Sequence, residues 1–380
     1  MSRCLVFRVP TRHPGDVEGV LGLIEAGALA ADEIVAIFGK TEGNGCVNDF
    51  TRQLAVVSLQ AALAPALGCT PAEAGRRIAM VMSGGTEGGL SPHLLVLARR
   101  PDGAAPPLGA GARLAVGTAS TAPFAPEEVG RLAQVEATAG AVRAAMAEAG
   151  IERTEDVHFV QIKCPLLTSE RIAEAAARGR DVATHDTYES MGLSRGASAL
   201  GAAVALGEVA AASLDDAAIG RRLDLWSARA SASAGIELMH NEVVVLGNSA
   251  AWGGDLTIAH GVMRDGVDLP AILAVLGRLG FPGAGQLTPE EAEQVAAVLV
   301  RAEPARNGRI RGLRHIMWDD SDINATRHAR ALVGGVVGAA IGRTDLFVSG
   351  GAEHQGPDGG GPVAVIARVA PGRGAGEPHA

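Results

Sequence analysis

One pattern recurs three times along this chain of 380 residues, in the same order each time. An apolar run with strand character leads to a basic residue, then to a Ser/Thr-Arg pair ahead of an alanine-rich stretch, then to Ser-[Gly/Ala]-Gly-x-Glu. The runs are Glu33 to Phe38, His158 to Ile162 and Ala296 to Val300, and the basic residues after them are Lys40, Lys163 and Arg301. The Ser/Thr-Arg pairs end in Arg52, Arg195 and Arg327, and the closing motifs run Ser83 to Glu87, Ser233 to Glu237 and Ser349 to Glu353. A lone Ser-Gly-Gly is an ordinary tight turn. Three copies in fixed order mark a repeated architecture, and few folds accommodate it.

Each copy opens alike, with Leu5 to Val9, Leu114 to Gly117 and Leu256 to Ala259 as first strands. Helical spacing follows, in Val17/Val20/Leu21/Ile24, Val142/Ala145/Met146 and Ile272/Val275/Leu276. The expectation is an α+β fold of three similar units, residues 1–103, 112–249 and 255–380, separated by a Pro/Gly-rich break at Pro101 to Gly111 and a softer one at Ala250 to Gly254. The Ser or Thr before each arginine is expected to cap a helix and leave the arginine free. From basic residue to serine the spacing is 43, 70 and 48 residues, so the extra chain of the middle unit is assigned to peripheral loop or helix.

Composition narrows the partners. A net charge of -9 and a sequence pI near 5.6 would repel nucleic acid and anionic membranes, and aromatic residues are only 3%, too few for base-stacking platforms. A small molecule is the expected partner. No apolar run reaches the ~20 residues of a membrane span, the N-terminus lacks an export pattern, and Cys4, Cys46, Cys69 and Cys164 form no C-x-x-C pair. The expected location is the cytoplasm, with free thiols. Among 33 Lys and Arg residues only Lys40 and Lys163 are lysine, which suggests that these positions need an amine able to lose its proton.

A serine hydroxyl beside a desolvated lysine is a nucleophile and base, and glycine-flanked amides can meet a carbonyl or a developing oxyanion. Three such sets converging on a pseudo-threefold axis suit a small ring with three carbonyls. Arginine cannot act as base, so Arg301 with Ser349 is expected only to bind or to stabilise charge. Two dyads remain open on spacing, Lys40/Ser83 and Lys163/Ser233. The P-loop lysine spacing is absent from the glycine-rich motifs. His185 and His354 are read as loop histidines, and Glu42 and Asp49 as solvated or capping.

The stretches FGKTEGNGCVNDFTR, MSGGTEGG, ASAGIEL, DDSDINATRHARALVGG and VSGGAEHQGPDGGGPVAVIA resemble the ring-opening amidohydrolases, the cyanuric acid amidohydrolase and barbiturase family, over nearly the whole chain. The resemblance implies three structurally similar domains around one central active site, hydrolysis of a cyclic amide by serine, and no cofactor for catalysis. It implies Ser233 as nucleophile and Lys163 as its base, with Arg52, Arg195, Arg327, Ser83, Gly84, Ala234, Ser349 and Gly350 holding the ring carbonyls. Lys40 and Arg301 are secondary. It further implies a structural divalent cation, Mg or Ca, on Glu303 and the carbonyls of Ala352, Gln355, Gly356, Pro357 and Gly360, a ligand set a hard ion accepts, and a homo-oligomer, a tetramer. Cyanuric acid is the expected substrate, with barbituric acid as the alternative. A non-catalytic binding protein on the same scaffold is the reading from another class.

Overall fold

The structure is a computed structural model that describes residues 1–101, 111–282 and 285–369; most of the Pro101 to Gly111 break, the end of the first expected unit and the C-terminal tail of the third lie outside these residues. The strands are β1 (Ser2–Pro10), β2 (Ile34–Thr41), β3 (Ala79–Gly84), β4 (His93–Pro101), β5 (Arg113–Ser120), β6 (Val157–Cys164), β7 (Ala230–Ala234), β8 (Glu242–Ser249), β9 (Trp252–Gly253), β10 (Leu256–Met263), β11 (Val295–Ala302), β12 (Arg309–Ile310), β13 (Leu313–Arg314), β14 (Phe347–Gly350) and β15 (Gly361–Arg368). The α-helices are α1 (Glu18–Glu25), α2 (Thr51–Leu67), α3 (Pro71–Arg77), α4 (Leu132–Glu148), α5 (Ser169–Ala177), α6 (Thr187–Ala205), α7 (Leu269–Arg278), α8 (Pro289–Gln294) and α9 (Ala325–Ile341).

Three sheets share one strand order: β3-β2-β4-β1, β7-β6-β8-β5 and β14-β11-β15-β10. In each, the second strand of the segment lies parallel to the third and antiparallel to the fourth. The fourth strands, spelled HLLVLARR, EVVVLGNS and GPVAVIAR, escaped the sequence reading although each is a plain apolar run. They insert between the first strand and the second, so β2, β6 and β11 are flanked on both sides and buried almost throughout. A register shift recurs near the start of these central strands, at Ile34/Ala36, Val157/Phe159 and Val295/Ala297. A bulge at the same place re-aims the strand identically in all three sheets.

The consequence for the site is one of register. Lys40 pairs with Ser83, Lys163 with Ser233 and Arg301 with Ser349, each at the end of a buried parallel strand pair. Beneath them one core cluster draws on all three sheets, with Phe38, Phe159 and Phe347 fully buried and the Phe38 and Phe347 rings 5.7 Å apart.

Two expectations are corrected. The Ser/Thr before each arginine is not the cap: Ser194 lies inside α6, whose amides are capped by Asp186, α9 is capped by Asn324, and Asp49 accepts the Thr51 amide at the start of α2. The short carboxylate or amide side chain one or more residues upstream reaches free N–H groups that a residue already inside the helix cannot. The Ala250 to Gly254 break also carries structure, because β9 pairs with β1 and Trp252 donates its indole N–H to the Ala149 carbonyl at 2.7 Å. Between β6 and β10, His158 and His260 face each other with their Nδ1 atoms 2.8 Å apart.

Candidate active site

A polar cavity of about 270 Å³, counting its open mouth, forms where the three strand pairs end. The first segment contributes Arg52, Ser83 and Gly84, the middle one Arg195, Ser233 and Ala234, and the third Arg330 and Gly350. Helix α2 brings Arg52 to it, α6 Arg195 and α9 Arg330.

Arg327 is therefore replaced by Arg330 as the third arginine. Arg327 is 39% exposed and touches Glu87 at 3.3 Å, whereas Arg330 is buried and grips Glu87 with Nε and Nη2 at 2.7 and 2.5 Å. Arg195 makes the matching bidentate bond to Glu353, at 2.8 and 2.7 Å. Each pair joins an arginine of one segment to the glutamate that closes the serine motif of another, and Arg330 lies against Gly85 as Arg195 lies against Gly351. The sequence offered NATRHAR, with two arginines one helical turn apart; only the packing of α9 decides which faces inward. Glu353 holds Arg195 above the usual guanidinium range, against the opposing effect of burial.

The third vertex of this cycle differs. Arg52 donates to the carbonyls of Ala234 and Cys46, both at 2.8 Å, and Glu237 lies instead 2.5 Å from Lys163 Nζ. Lys163, fully buried, also donates to Met82 O at 2.8 Å. Burial lowers its pKa and Arg52 adds to that, while Glu237 opposes both. Lys40 is buried too, held well below the ordinary lysine value by burial and then by Arg330; its Nζ lies 3.2 Å from Ser83 Oγ, which in turn bonds Ser349 Oγ at 2.7 Å.

Arg301 departs from the expectation that it serves Ser349. Although the two are register partners, its guanidinium crosses to the middle segment, donating to Ser233 Oγ at 3.3 Å and Ala232 O at 2.6 Å, and it also donates to the carbonyls of Gly350, at 2.9 Å, and Gly351. Burial, and after it Arg195, pushes Arg301 down to about 9.

Asp49 is buried rather than solvated and ties down the loop that carries Gly45 into the cavity, accepting from Gly45 N at 2.8 Å. Glu42 is exposed. His185 is mostly exposed, and His354 is buried, bonded to Leu225 O at 2.6 Å and Gly220 N at 2.7 Å, in a structural role.

The residues expected to hold a cation converge on the turn after β14. Glu303 accepts from Gly351 N at 2.7 Å and is pushed up to about 7 by burial and by the neighbouring Glu353. Gln355 Oε1 accepts the Ala232 amide at 2.7 Å, the Gly356 amide bonds Ser227 O at 3.0 Å, and the carbonyls of Ala352 and Pro357 accept the amides of Gln355 and Gly360. A buried carboxylate whose nearest charged neighbours include a second carboxylate, beside a carbonyl-rich turn, fits a hard cation chemically. Among the described residues no group of three His, Cys, Asp or Glu side chains could hold one, so backbone oxygens would complete such a site.

The family model for the amidohydrolase ring-opening proteins matches residues 5–368. The chain belongs to the ring-opening amidohydrolases. Among its relatives, the cyanuric acid amidohydrolase of Azorhizobium caulinodans is 56% identical over 362 residues, 95% of this chain and 97% of that protein. That of Bradyrhizobium diazoefficiens is 54% identical over 364 residues, covering 96% and 98%. A solved structure of a cyanuric acid hydrolase, described as an evolutionary innovation by structural concatenation, superposes with a TM-score of 0.93 at 51% identity, covering 97% of this chain and 100% of that one. Concatenation fits the recurrence of one strand order in three sheets of this ring-opening amidohydrolase. A second, the cyanuric acid hydrolase of A. caulinodans, superposes with a TM-score of 0.89 at 55% identity, covering 97% and 99%.

Proposed function

We propose that this chain hydrolyses cyanuric acid to carboxybiuret, which loses carbon dioxide to give biuret, with Ser233 as nucleophile and Lys163 as base. The observation that carries the choice of serine is the Arg301 guanidinium on Ser233 Oγ. A cation there favours the alkoxide and then the oxyanion, while Ser83 and Ser349 are engaged with each other. Burial, aided by Arg52 and opposed by Glu237, lowers the pKa of Lys163, which favours its use as acceptor of the serine proton. Attack on one ring carbonyl forms the acyl C–O bond; the ring C–N bond then breaks, and the departing nitrogen receives the proton from Lys163. Water adds to the acyl-enzyme as Lys163 takes its proton, and collapse breaks the acyl C–O bond and expels Ser233, which regains its proton from Lys163. Arg52, Arg195 and Arg330, with Ser83, Gly84, Ala234, Ser349 and Gly350, are assigned to the other carbonyls.

Lys40/Ser83 is the second reading, favoured by their direct contact of 3.2 Å. Trapping the acyl-enzyme and locating it by peptide mass spectrometry separates the two, and a side-by-side assay on barbituric acid tests the substrate. We further propose a structural Mg or Ca ion on Glu303 and the carbonyls of residues 352, 355, 356, 357 and 360, where it would neutralise a carboxylate already raised toward neutrality. Exposed Leu313, Ile316 and Trp318 support assembly into a homo-oligomer, for which we propose a tetramer. No single helix among the described residues is long and apolar enough to cross a membrane, and the four free cysteines support our placement of the protein in the cytoplasm.

A further inference from the structure

Only the serine motif of the middle segment turns its glutamate toward a lysine, and the backbone there takes a different path. Gly85 and Gly351, the second residues after Ser83 and Ser349, have φ of 105° and 78°, in the left-handed region; Gly235 does not enter it. A Cβ on Gly85 would meet Arg330 and one on Gly351 would meet Arg195, but one on Gly235 would meet Glu237 itself, folded back over its own turn. The carbonyls on either side of Glu237 are held by one side chain. Arg171 Nη2 donates to Ile236 O at 2.8 Å and Leu238 O at 3.4 Å, while Nη1 donates to Leu166 O at 2.6 Å, just past the end of β6.

Arg171 lies on α5, in the chain between Lys163 and Arg195, a position occupied in the first segment by the loop before α2 and in the third by the β12–β13 hairpin. The extra chain of the middle segment is thus not wholly peripheral, contrary to the expectation from spacing. Around Glu353 the flanking carbonyls of Ala352 and His354 are taken by backbone amides, of Gln355 and Ser227.

We infer that Arg171 is a positioning residue: by clamping the carbonyls that flank Glu237 it turns that carboxylate onto Lys163 and so sets the middle Ser-Lys pair apart from the other two vertices. This rests on the reading of Ser233 and Lys163 as the reacting pair. Glu237 pairs ionically with the Lys163 amine, whereas the other serine-motif glutamates accept bidentate bonds from arginine. Arg171 provides the clamp where a lysine cannot, since its planar fork spans three carbonyls, on the turn of Glu237 and just past β6, at once.

The test is a double-mutant cycle of Arg171→Ala and Glu237→Gln on the full-length protein, read as kcat, KM and the pH profile of kcat on cyanuric acid, with Ser233→Ala and Arg171→Lys alongside. Arg171→Ala should lower kcat by about 10- to 100-fold with KM changed far less, as expected when a reacting group is misplaced from a distance. Glu237 favours the ammonium form, so releasing it should move the rising limb of the profile to lower pH in both single variants. In the Glu237→Gln background, Arg171→Ala should have little further effect. Arg171→Lys should fold normally and recover only part of kcat. Additive losses, or an Arg171→Ala variant whose melting temperature falls while kcat and its pH profile stay at parent values, overturn the inference alone when Ser233→Ala is inactive. An active Ser233→Ala overturns the dyad assignment and this inference with it.

Discussion

The ends of β2 and β6 carry the same residue types in the same register and do different things with them. Lys40 turns to its own register partner, Ser83, and that hydroxyl is shared with Ser349. Lys163 bonds Met82 O and pairs with Glu237, while Ser233, its partner in register, accepts from the guanidinium of Arg301. Identical strand geometry therefore produces one vertex with a lysine–serine contact and one with a lysine–carboxylate pair beside a serine under a cation. Equivalence of position is not equivalence of chemistry: once one basic position is arginine and one glutamate turns to lysine, three similar corners can no longer do the same work.

The sharpest way to break this contrast is Ser233→Ala, which should lower kcat by about 10⁴-fold or more, as loss of a nucleophile does, while calorimetric binding of cyanuric acid is retained. Ser83→Ala should lower affinity more than kcat. An acyl adduct on Ser83 would reverse the two vertices. Next in size is the base. Lys163→Ala should cost about 10²–10⁴-fold in kcat, and Lys163→Arg should be no better, because a guanidinium does not give up its proton at working pH.

The arginine cycle sharpens the comparison from the other side. Arg330→Ala removes the bidentate partner of the buried Glu87 carboxylate and should lower kcat/KM by about 100-fold, the scale of breaking a buried ion pair. Arg327→Ala, at a half-exposed position, should stay within about threefold of the parent. Equal losses in the two variants would show that Arg327 enters the site when ligand binds. Arg301→Lys should cost about tenfold, since an ammonium cannot reach Ser233 and three carbonyls together.

The smallest expected effect concerns the seam between the middle and third sheets. Burial pushes His158 down to about 4, and burial together with His158 pushes His260 down to about 3. With imidazoles depressed in the fold, the unfolded chain binds more protons as pH drops below about 6.5, so stability present above that value is lost progressively toward about 3. His260→Gln should flatten the fall of melting temperature across this window, and an unchanged slope would exclude the pair as its source.

Much of the architecture was legible because it is periodic. Three basic residues, three serine motifs and their order needed no coordinates, and from them followed the repeated α+β units and the two candidate dyads. The fourth strands were missed because an apolar run carries no mark of where it will insert, although the runs themselves were plain to see. Arg330 was missed because a Ser/Thr-Arg pair looked like the repeated unit, while the face a helix presents inward is set by what it packs against.

What the sequence determined by itself was the inventory and order of each unit: apolar strand runs, glycine-permitted turns, and a basic residue followed by an arginine and a serine motif. These are local properties, fixed by strand periodicity and by which side chains a turn tolerates. What only the tertiary structure decided was which group each side chain meets across the centre. Arg301 serves a serine 68 residues away in sequence, Arg330 a glutamate 243 away, and Arg171 a turn that the spacing had placed far from any inserted helix. Long arginine and lysine side chains reach past their own strand, so their partners depend on how the three sheets are packed together, and no local rule encodes that.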